Sequence, residues 1–168
     1  MKKTISTDQK PANIEKVMEV LRETSGQLES LSDRLSDEQL HEPFGAGERS
    51  FTENLAHLIY TEALSSEAIY LALLLDEPLL ADVHAERQLG KLLRFDLLPF
   101  SELLAYFKVR RRVLLRVLES LTEVQWGRAI REEQKKRKES VYWRARGIAM
   151  HELDHLTDLR SKLNGSGK

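Results

Sequence analysis

Residues 13–35, with the sequence NIEKVMEVLRETSGQLESLSDRL, decide the fold class of this chain. Apolar residues recur there mostly at spacings of three and four, with charged residues between them. They are Ile14, Val17, Met18, Leu21, Leu28, Leu31 and Leu35. A repeat near 3.6 residues places such side chains along one face of a helix. The pattern therefore predicts a long amphipathic helix whose apolar face packs against other elements.

The same period returns in three further segments, and sustained alternation of apolar and polar residues is absent from the sequence. These segments are residues 51–75, 100–121 and 141–163. Ser50 and Glu53 have the spacing of a capping box before the first of them, and Ser140 is placed to cap the last. Arginines on the polar side of the third long helix are Arg110, Arg111, Arg112 and Arg116. The chain is predicted to be an all-α four-helix bundle.

The connections between these helices differ in length and composition. Residues 81–93 are compatible with a helix, which the segment Leu97-Leu98-Pro99 would end. Residues 79–98 are therefore predicted to form an irregular crossover with helical content between the second and third helices. Residues 128–139 are almost wholly charged and predict an exposed loop or a frayed helix end. Residues 1–168 are expected to form a single domain with a core at about 13–163 and a flexible tail at 164–168.

Composition limits the classes of function. The 26 basic and 27 acidic residues leave a formal charge of −1, which gives no general attraction to nucleic acid or to an anionic membrane. No cysteine is present, so any metal must bind to nitrogen and oxygen ligands. The longest apolar run, residues 69–75, is too short to span a bilayer, and no apolar secretory segment follows the first lysines. We therefore expect a cytoplasmic protein.

Three histidines form the leading candidate site. His151 and His155 are four residues apart, a spacing that places both imidazoles on one face of a helix. His57 lies among Leu55, Ala56, Leu58 and Ile59 on another helix, where an unpaired imidazole is costly to bury. The pattern favours a metal site, although a buried histidine that is merely hydrogen-bonded explains His57 equally well. His41 and His84 lie in predicted connections and are expected to face solvent.

Residues 151–155, HELDH, also match the motif that supplies two ligands and a glutamate base in zinc proteases. Such proteases need a third ligand, usually downstream, but the residues after His155 include neither histidine nor glutamate. They also usually offer a strand edge to an extended peptide, and the sequence predicts no strand. A protease is therefore not expected. The run at 135–138, KKRK, has glutamates beside it and predicts a solvated loop rather than a nucleic-acid site.

Together these residues resemble the DinB-like superfamily. The resemblance rests on His57 within residues 47–58, GERSFTENLAHL, on His151-x-x-x-His155 in the last helix, and on the arginine-rich third helix followed by LTEVQW at 121–126. It implies an up-down-down-up four-helix bundle with a divalent metal, nickel or zinc, bound by His57, His151 and His155 and completed by water. The sequence departs from the strongest family pattern because Leu156-Thr157-Asp158 stands where a Gly-Gln pair would follow His155.

The resemblance also implies a function. Characterised relatives include transferases that use a low-molecular-weight thiol, a thiol-dependent isomerase and proteins that resemble hydrolases. The chain is accordingly expected to be a metal-dependent transferase or hydrolase that acts on a small molecule, with a non-catalytic metal-binding or stress-response protein as the alternative. Related proteins often form homodimers, and residues 69–75 are apolar around the helix, so a homodimer is expected.

Further residues near the histidines are candidates for catalysis. Glu152 follows the first ligand of the last helix, and Arg144 stands two turns before it, where it is a candidate to receive an anionic substrate group. The alternatives are a solvated helix charge for Glu152 and a surface arginine for Arg144. Gly147 is a candidate to leave space above the metal, and Tyr60 and Thr61 are candidate hydrogen-bonding partners of the ligands.

Overall fold

The computed structural model describes residues 4–165 and confirms the predicted bundle. The helices are α1 (Pro11–Ser32), α2 (Asp37–His41), α3 (Phe51–Leu74), α4 (Lys91–Leu93), α5 (Phe100–Glu119), α6 (Glu123–Trp126) and α7 (Val141–Gly165). The four long ones, α1, α3, α5 and α7, are the helices predicted from the apolar period. Among the described residues, no helix has the length and apolarity needed to cross a membrane.

Side-chain caps fix where the long helices begin. The Ser50 hydroxyl accepts a hydrogen bond from the Glu53 amide at 3.1 Å, and the Glu53 carboxylate accepts one from the Ser50 amide at 2.7 Å. This confirms the predicted capping box at the start of α3. The Ser140 hydroxyl likewise accepts from the Trp143 amide at 3.1 Å, which confirms the predicted cap of α7. The fixed start of α3 places His57 in its second turn.

Ion pairs and hydrogen bonds show the direction of α1 relative to its neighbours. Helix α1 runs antiparallel to α5, because Arg22 pairs with Glu119 at 3.3 Å and Glu29, further along α1, pairs with Lys108 at 2.6 Å. It runs parallel to α7. One contact joins the residues just before α1 to the start of α7, and another joins the later parts of both helices. These are Tyr142 Oη with Ser6 O at 2.6 Å and Arg160 Nη2 with Gln27 Oε1 at 2.7 Å.

Helices α3 and α5 run parallel. The rings of Phe51 and Phe100 lie 5.4 Å apart at the two helix starts, and Glu62 pairs with Arg110 at 3.2 Å further along both. The four long helices therefore run up, down, down and up in chain order, as the family resemblance implied. Two consecutive parallel helices require a connection that returns along the bundle, which is why the crossover between α3 and α5 is long.

The crossover is irregular and has helical content, as predicted. It contains strand β1 (Leu79–Leu80), a π-helix at Ala85–Gly90, α4 and a 3-10 turn at Phe95–Leu97. Strand β1 pairs in parallel with β2 (Ala129–Glu132), which pairs antiparallel with β3 (Glu139–Ser140). This small sheet joins the crossover to the connection before α7.

The prediction that the sequence has no strand is wrong at β1, β2 and β3. The prediction that residues 128–139 form a loop or frayed helix end is wrong at β2 and at Glu139. Ile130 in β2 exposes only 1% of its surface and packs in the core, while Arg131 beside it is exposed. An alternation over four residues is too short to stand out among charged neighbours. Its partner β1 also lies far away in the chain, so pairing depends on tertiary structure.

Buried polar side chains separate the apolar core into two clusters. One cluster surrounds Trp126 and Tyr142, and the other surrounds Phe51 and Phe100. In each long helix, one or two buried polar residues stand between members of the two clusters. These residues form what we call the buried polar layer: Thr24, Glu62, Ser66, Arg111 and Glu152. The prediction that Arg111 belongs to the polar side of its helix is therefore wrong, since it is 1% exposed.

Helix α7 extends into the predicted tail at 164–168. Asn164 and Gly165 continue the helix, and the flexibility of the tail stays a prediction. Residues 166–168 lie outside the described residues. In the apolar segment 69–75, Ile69 is fully buried whereas Leu74 is 78% exposed, so the segment fills the core in part and presents a leucine at its end. The homodimer stays a prediction.

Candidate metal centre

His57, His151 and His155 meet between α3 and α7, and we call them the histidine cluster. His57 comes from α3, and the other two stand one turn apart on α7. The Nε2 atoms of His57 and His151 are 3.1 Å apart. The ring centroids are separated by 5.0 Å, 5.0 Å and 4.5 Å, and one ligand atom from each ring lies within 4.8 Å of the others. The three residues predicted as ligands are thus brought together.

The donor set fits a divalent metal ion. Zinc–imidazole bonds are about 2.0–2.1 Å long, so two bound imidazole nitrogens sit roughly 3 Å apart. The separation of 3.1 Å between His57 Nε2 and His151 Nε2 agrees with that value. Imidazole nitrogen is a ligand suited to zinc, nickel, copper and iron, and the cluster provides three such groups. Three protein ligands leave room in the coordination sphere, as in catalytic rather than closed structural sites.

Each ring turns its other nitrogen toward an oxygen from elsewhere in the fold. The pairs are His57 Nδ1 with Glu86 Oε2 at 2.5 Å, His151 Nδ1 with Thr61 Oγ1 at 3.4 Å, and His155 Nδ1 with Asn54 Oδ1 at 3.2 Å. Hydrogen bonds of this kind orient metal-binding histidines and select which nitrogen carries the proton. The arrangement leaves the Nε2 side of the rings directed toward the centre of the cluster.

Burial keeps the histidine cluster uncharged near neutral pH. Desolvation is the main cause that lowers the pKa of His151 and of His155 to about 4. It also lowers the pKa of His57, although the hydrogen bond to Glu86 acts in the opposite direction. Neutral imidazoles retain the lone pair that binds a cation. The three rings are therefore in the protonation state that metal binding requires.

Tyr60 and Thr61, one turn after His57 on α3, have different surroundings. Thr61 contacts His151, in agreement with its predicted role beside a ligand. The Tyr60 hydroxyl instead accepts a hydrogen bond from the Phe95 amide at 2.7 Å, and the two rings stack at 5.3 Å. Tyr60 thus fastens the crossover to α3.

Glu152 and Arg144 are held by charged partners. Both carboxylate oxygens of Glu152 accept hydrogen bonds from Arg111, and Glu152 is 1% exposed, so the alternative of a solvated charge is wrong. Arg144 lies on α7 two turns before His151. It pairs with Glu132 and, at 2.5 Å, with Glu139. These pairs give both residues a structural role, and a part in catalysis stays a prediction for each.

Gly147 is exposed, and a Cβ atom there would meet nothing within 4 Å. Gly147 therefore does not serve as a helix-packing glycine. His41 and His84 are exposed, as predicted.

Asn54 and Glu86 were missed from the sequence. Asn54 carried a signal, because it is a polar residue on the apolar face of α3, one turn before His57, and it is 3% exposed. Glu86 carried none. It lies in the crossover, whose path the sequence leaves undetermined, and it reaches His57 only because that segment packs on α3.

A cavity of about 590 Å³ opens beside Glu86. Its lining includes Arg49, Tyr60 and Gly90 as well as Glu86, but among the described residues it includes none of the histidine cluster. Since Glu86 contacts the outer nitrogen of His57, the cavity lies behind that ring. It is not the face on which the three Nε2 sides converge.

Comparison with known proteins places these observations in a family. The sequence profile of the DinB superfamily matches residues 20–159. The fold is similar to the solved structure of YfiT from Bacillus subtilis, described as a probable metal-dependent hydrolase with an unusual four-helix bundle topology. The TM-score is 0.81 at 18% identity, with 97% of this chain and 94% of that chain covered. A search among curated proteins gave no match. The chain belongs to the DinB superfamily.

Proposed function

We propose that this protein is an enzyme that uses one divalent metal ion, nickel or zinc, to act on a small molecule. The observation that carries the proposal is the convergence of three imidazoles whose outer nitrogens all lie against oxygens. His57, His151 and His155 are the proposed ligands. Three ligands rather than four favour a site that also admits water or a substrate.

The proposed chemistry is hydrolysis. A divalent ion held by these three histidines would supply Lewis acidity, which favours a water or thiol nucleophile near neutral pH and polarises the attacked group. The protein's own contribution is to hold three uncharged donors in place through Glu86, Thr61 and Asn54. The description of YfiT as a probable metal-dependent hydrolase supports this reaction type over the others that the family resemblance implies.

Transfer to a low-molecular-weight thiol is the competing reaction within the same site. It needs the same activated nucleophile, with a thiol in place of water. The absence of a Gly-Gln pair after His155 separates this sequence from the strongest family pattern and favours the hydrolase. Neither proposal gives Arg144 or Glu152 a direct part in the reaction, since both are held in ion pairs.

The test is turnover by tag-free protein in three states: stripped with a chelator, reloaded with nickel or zinc, and reloaded as the His151→Ala variant. The substrate panel contains small esters, amides and electrophiles, each with and without an added thiol. We expect hydrolysis only in the reloaded wild type. Turnover that requires the thiol would establish the transferase instead. Bound metal without turnover of any substrate would favour the non-catalytic metal-binding protein.

A further inference from the structure

We propose that Glu86 is a positioning residue that fixes His57 for metal binding and so couples the crossover to the metal centre. The inference rests on the proposed metal site. It assigns a role to a residue outside the two helices that carry the histidine cluster.

The contact between Glu86 and His57 determines which nitrogen of His57 faces the cluster. Glu86 Oε2 lies 2.5 Å from His57 Nδ1, where a carboxylate acts as acceptor and the ring acts as donor. With the proton on Nδ1, the lone pair of Nε2 points toward His151 and His155. A carboxylate in this position also makes an imidazole a more basic ligand.

The other two rings have weaker partners. His151 faces the Thr61 hydroxyl at 3.4 Å, and His155 faces the Asn54 side-chain oxygen at 3.2 Å. Both partners are uncharged, and both distances are longer than the 2.5 Å of the carboxylate contact. Hydrogen bonds that involve an ionised group are shorter and roughly twice as strong as neutral ones. Glu86 is therefore the partner whose loss should affect the cluster most.

The crossover is built to hold Glu86 against α3. Glu86 lies in the π-helix at Ala85–Gly90, which packs against α3. At the end of this segment a Cβ atom on Gly90 would lie 3.0 Å from the Tyr60 ring, so glycine permits the close approach. Beyond it, the Phe95 amide donates to the Tyr60 hydroxyl at 2.7 Å.

Arg49 pairs with the same carboxylate. Its Nη2 atom lies 3.5 Å from Glu86 Oε2, the atom that contacts His57. Arg49 comes from the turn just before α3, so the carboxylate is held between the start of that helix and its second turn. The side chain of Glu86 is 39% exposed and that of His57 is 13% exposed, which places the contact at the rim of the cluster.

The first experiment determines the tautomer of His57 with long-range ¹H–¹⁵N spectra of the full-length, metal-free protein at neutral pH, with His57→Gln used to assign the signal. We expect the proton on Nδ1 in the wild type and a mixture of tautomers in Glu86→Gln. A proton on Nε2 in the wild type would overturn the inference. The result does not depend on whether the protein binds metal.

The second experiment measures the affinity for zinc and for cobalt by competition with a chelator. We expect Glu86→Gln to bind about 10-fold to 100-fold more weakly than the wild type and to shift the visible absorption bands of the cobalt form. Glu119→Gln is the matched control, because Glu119 also pairs with an arginine, at 3.3 Å, but far from the histidines. It should bind like the wild type.

The outcomes separate the two proposals. Wild-type affinity and an unchanged cobalt spectrum in Glu86→Gln would overturn the role of Glu86 while leaving the metal site intact. Failure of the wild type itself to bind metal would overturn the proposed function, and with it this role. Circular dichroism and thermal unfolding of both variants show whether any loss comes from unfolding. If Glu86→Gln is unfolded, Glu86→Asp replaces it and should show an intermediate affinity.

Discussion

The histidine cluster and the buried polar layer lie side by side, and α7 contributes consecutive residues to each. His151 turns toward His57, whereas Glu152, about 100° further around the helix, turns toward Arg111. In the buried polar layer the charged groups are paired. In the histidine cluster three imidazole rings face one another, and the rings carry no charge. The buried polar layer joins α5 to α7, while the histidine cluster keeps imidazole nitrogens available to a cation.

The two regions avoid the cost of burying charge in different ways. Arg111 is 1% exposed and donates to both oxygens of Glu152 and, at 2.9 Å, to the Leu21 carbonyl. A buried charge of this kind is tolerated only with such partners. The histidines give up their charge instead, since burial lowers the pKa of His151 and His155 to about 4. Pairing avoids the cost of leaving either buried charge alone, and neutral lone pairs favour binding of a cation.

The largest expected effect comes from breaking the pair in the buried polar layer. Glu152→Ala leaves Arg111 buried without its counter-ion, which should lower the free energy of unfolding by about 3–5 kcal/mol. His151→Ala, measured in chelator, should cost only about 1 kcal/mol, a usual value for a single substitution. Urea unfolding of both variants provides the measurement.

Replacing both partners is the control for this prediction. Arg111→Met with Glu152→Leu removes both charges and keeps apolar volume, so it should restore most of the stability that Glu152→Ala loses. Its affinity for metal should equal that of the wild type. Loss of metal affinity in the stable double variant would show that the two regions are not separate.

We expect acid to lower the stability of the metal-free protein by protonating the histidine cluster. The pKa of His151 and of His155 is about 4 in the folded protein and near 6.5 when unfolded. Between these values the unfolded chain binds more protons, so the free energy of unfolding in chelator should fall as the pH drops from about 6.5 to about 4. The neutral rings contribute their full stabilisation above a pH of about 6.5. Urea unfolding at several pH values measures the slope.

The control for the pH prediction is the double variant His151→Ala with His155→Ala. Carboxylates such as Glu132, whose pKa is lowered by its pairing with Arg144 and Lys135, also contribute to acid sensitivity in both proteins. The difference between the two curves therefore isolates the histidines. Parallel curves would show that the two rings are not held neutral by burial.

Arg144→Ala should have a smaller effect. It removes the ion pairs with Glu132 and Glu139, whose side chains are 15% and 14% exposed, and should lower the free energy of unfolding by about 1 kcal/mol. Affinity for metal should not change, because Arg144 lies two turns from His151. Weaker binding of an anionic substrate by this variant, with metal affinity intact, would instead establish the substrate role predicted from the sequence.

Gly147→Ala should have the smallest effect. The position is helical, exposed and open, so alanine should raise the free energy of unfolding by roughly 0.5–1 kcal/mol. Metal affinity should be unchanged if Gly147 does not keep space above the metal. Gly47→Ala is the matched control and should be destabilising, because Gly47 has a φ of +75°. A large loss of metal affinity in Gly147→Ala would restore the role predicted for this glycine.

The sequence predicted the histidine cluster because helical periodicity is local. His57 follows a capping box that fixes the start of α3, and His151 and His155 are spaced by one helical turn. The buried polar layer was harder to recognise, since Arg111 stands within a run of arginines. It nevertheless occupies the apolar stripe, four residues after Phe107 and three before Leu114. That spacing was a usable signal.

Features that depend on contacts between distant segments could not be predicted. Glu86 reaches His57 through a crossover whose path depends on Gly90 packing against Tyr60. The strand around Ile130 forms because β1 lies beside it, about fifty residues earlier in the chain. No local period encodes either arrangement. The histidine cluster and its contact with Thr61 were therefore predictable from the sequence, whereas the contact of Glu86 with His57 was not.

The most direct test of the central claim is the metal stoichiometry of tag-free wild-type protein and of His57→Ala, His151→Ala and His155→Ala after equilibration with zinc or nickel. We predict about one equivalent in the wild type and a large loss in each variant, all of which should remain folded. Wild-type protein that binds no metal, or variants that still bind one equivalent, would contradict the assignment of the histidine cluster as a metal centre.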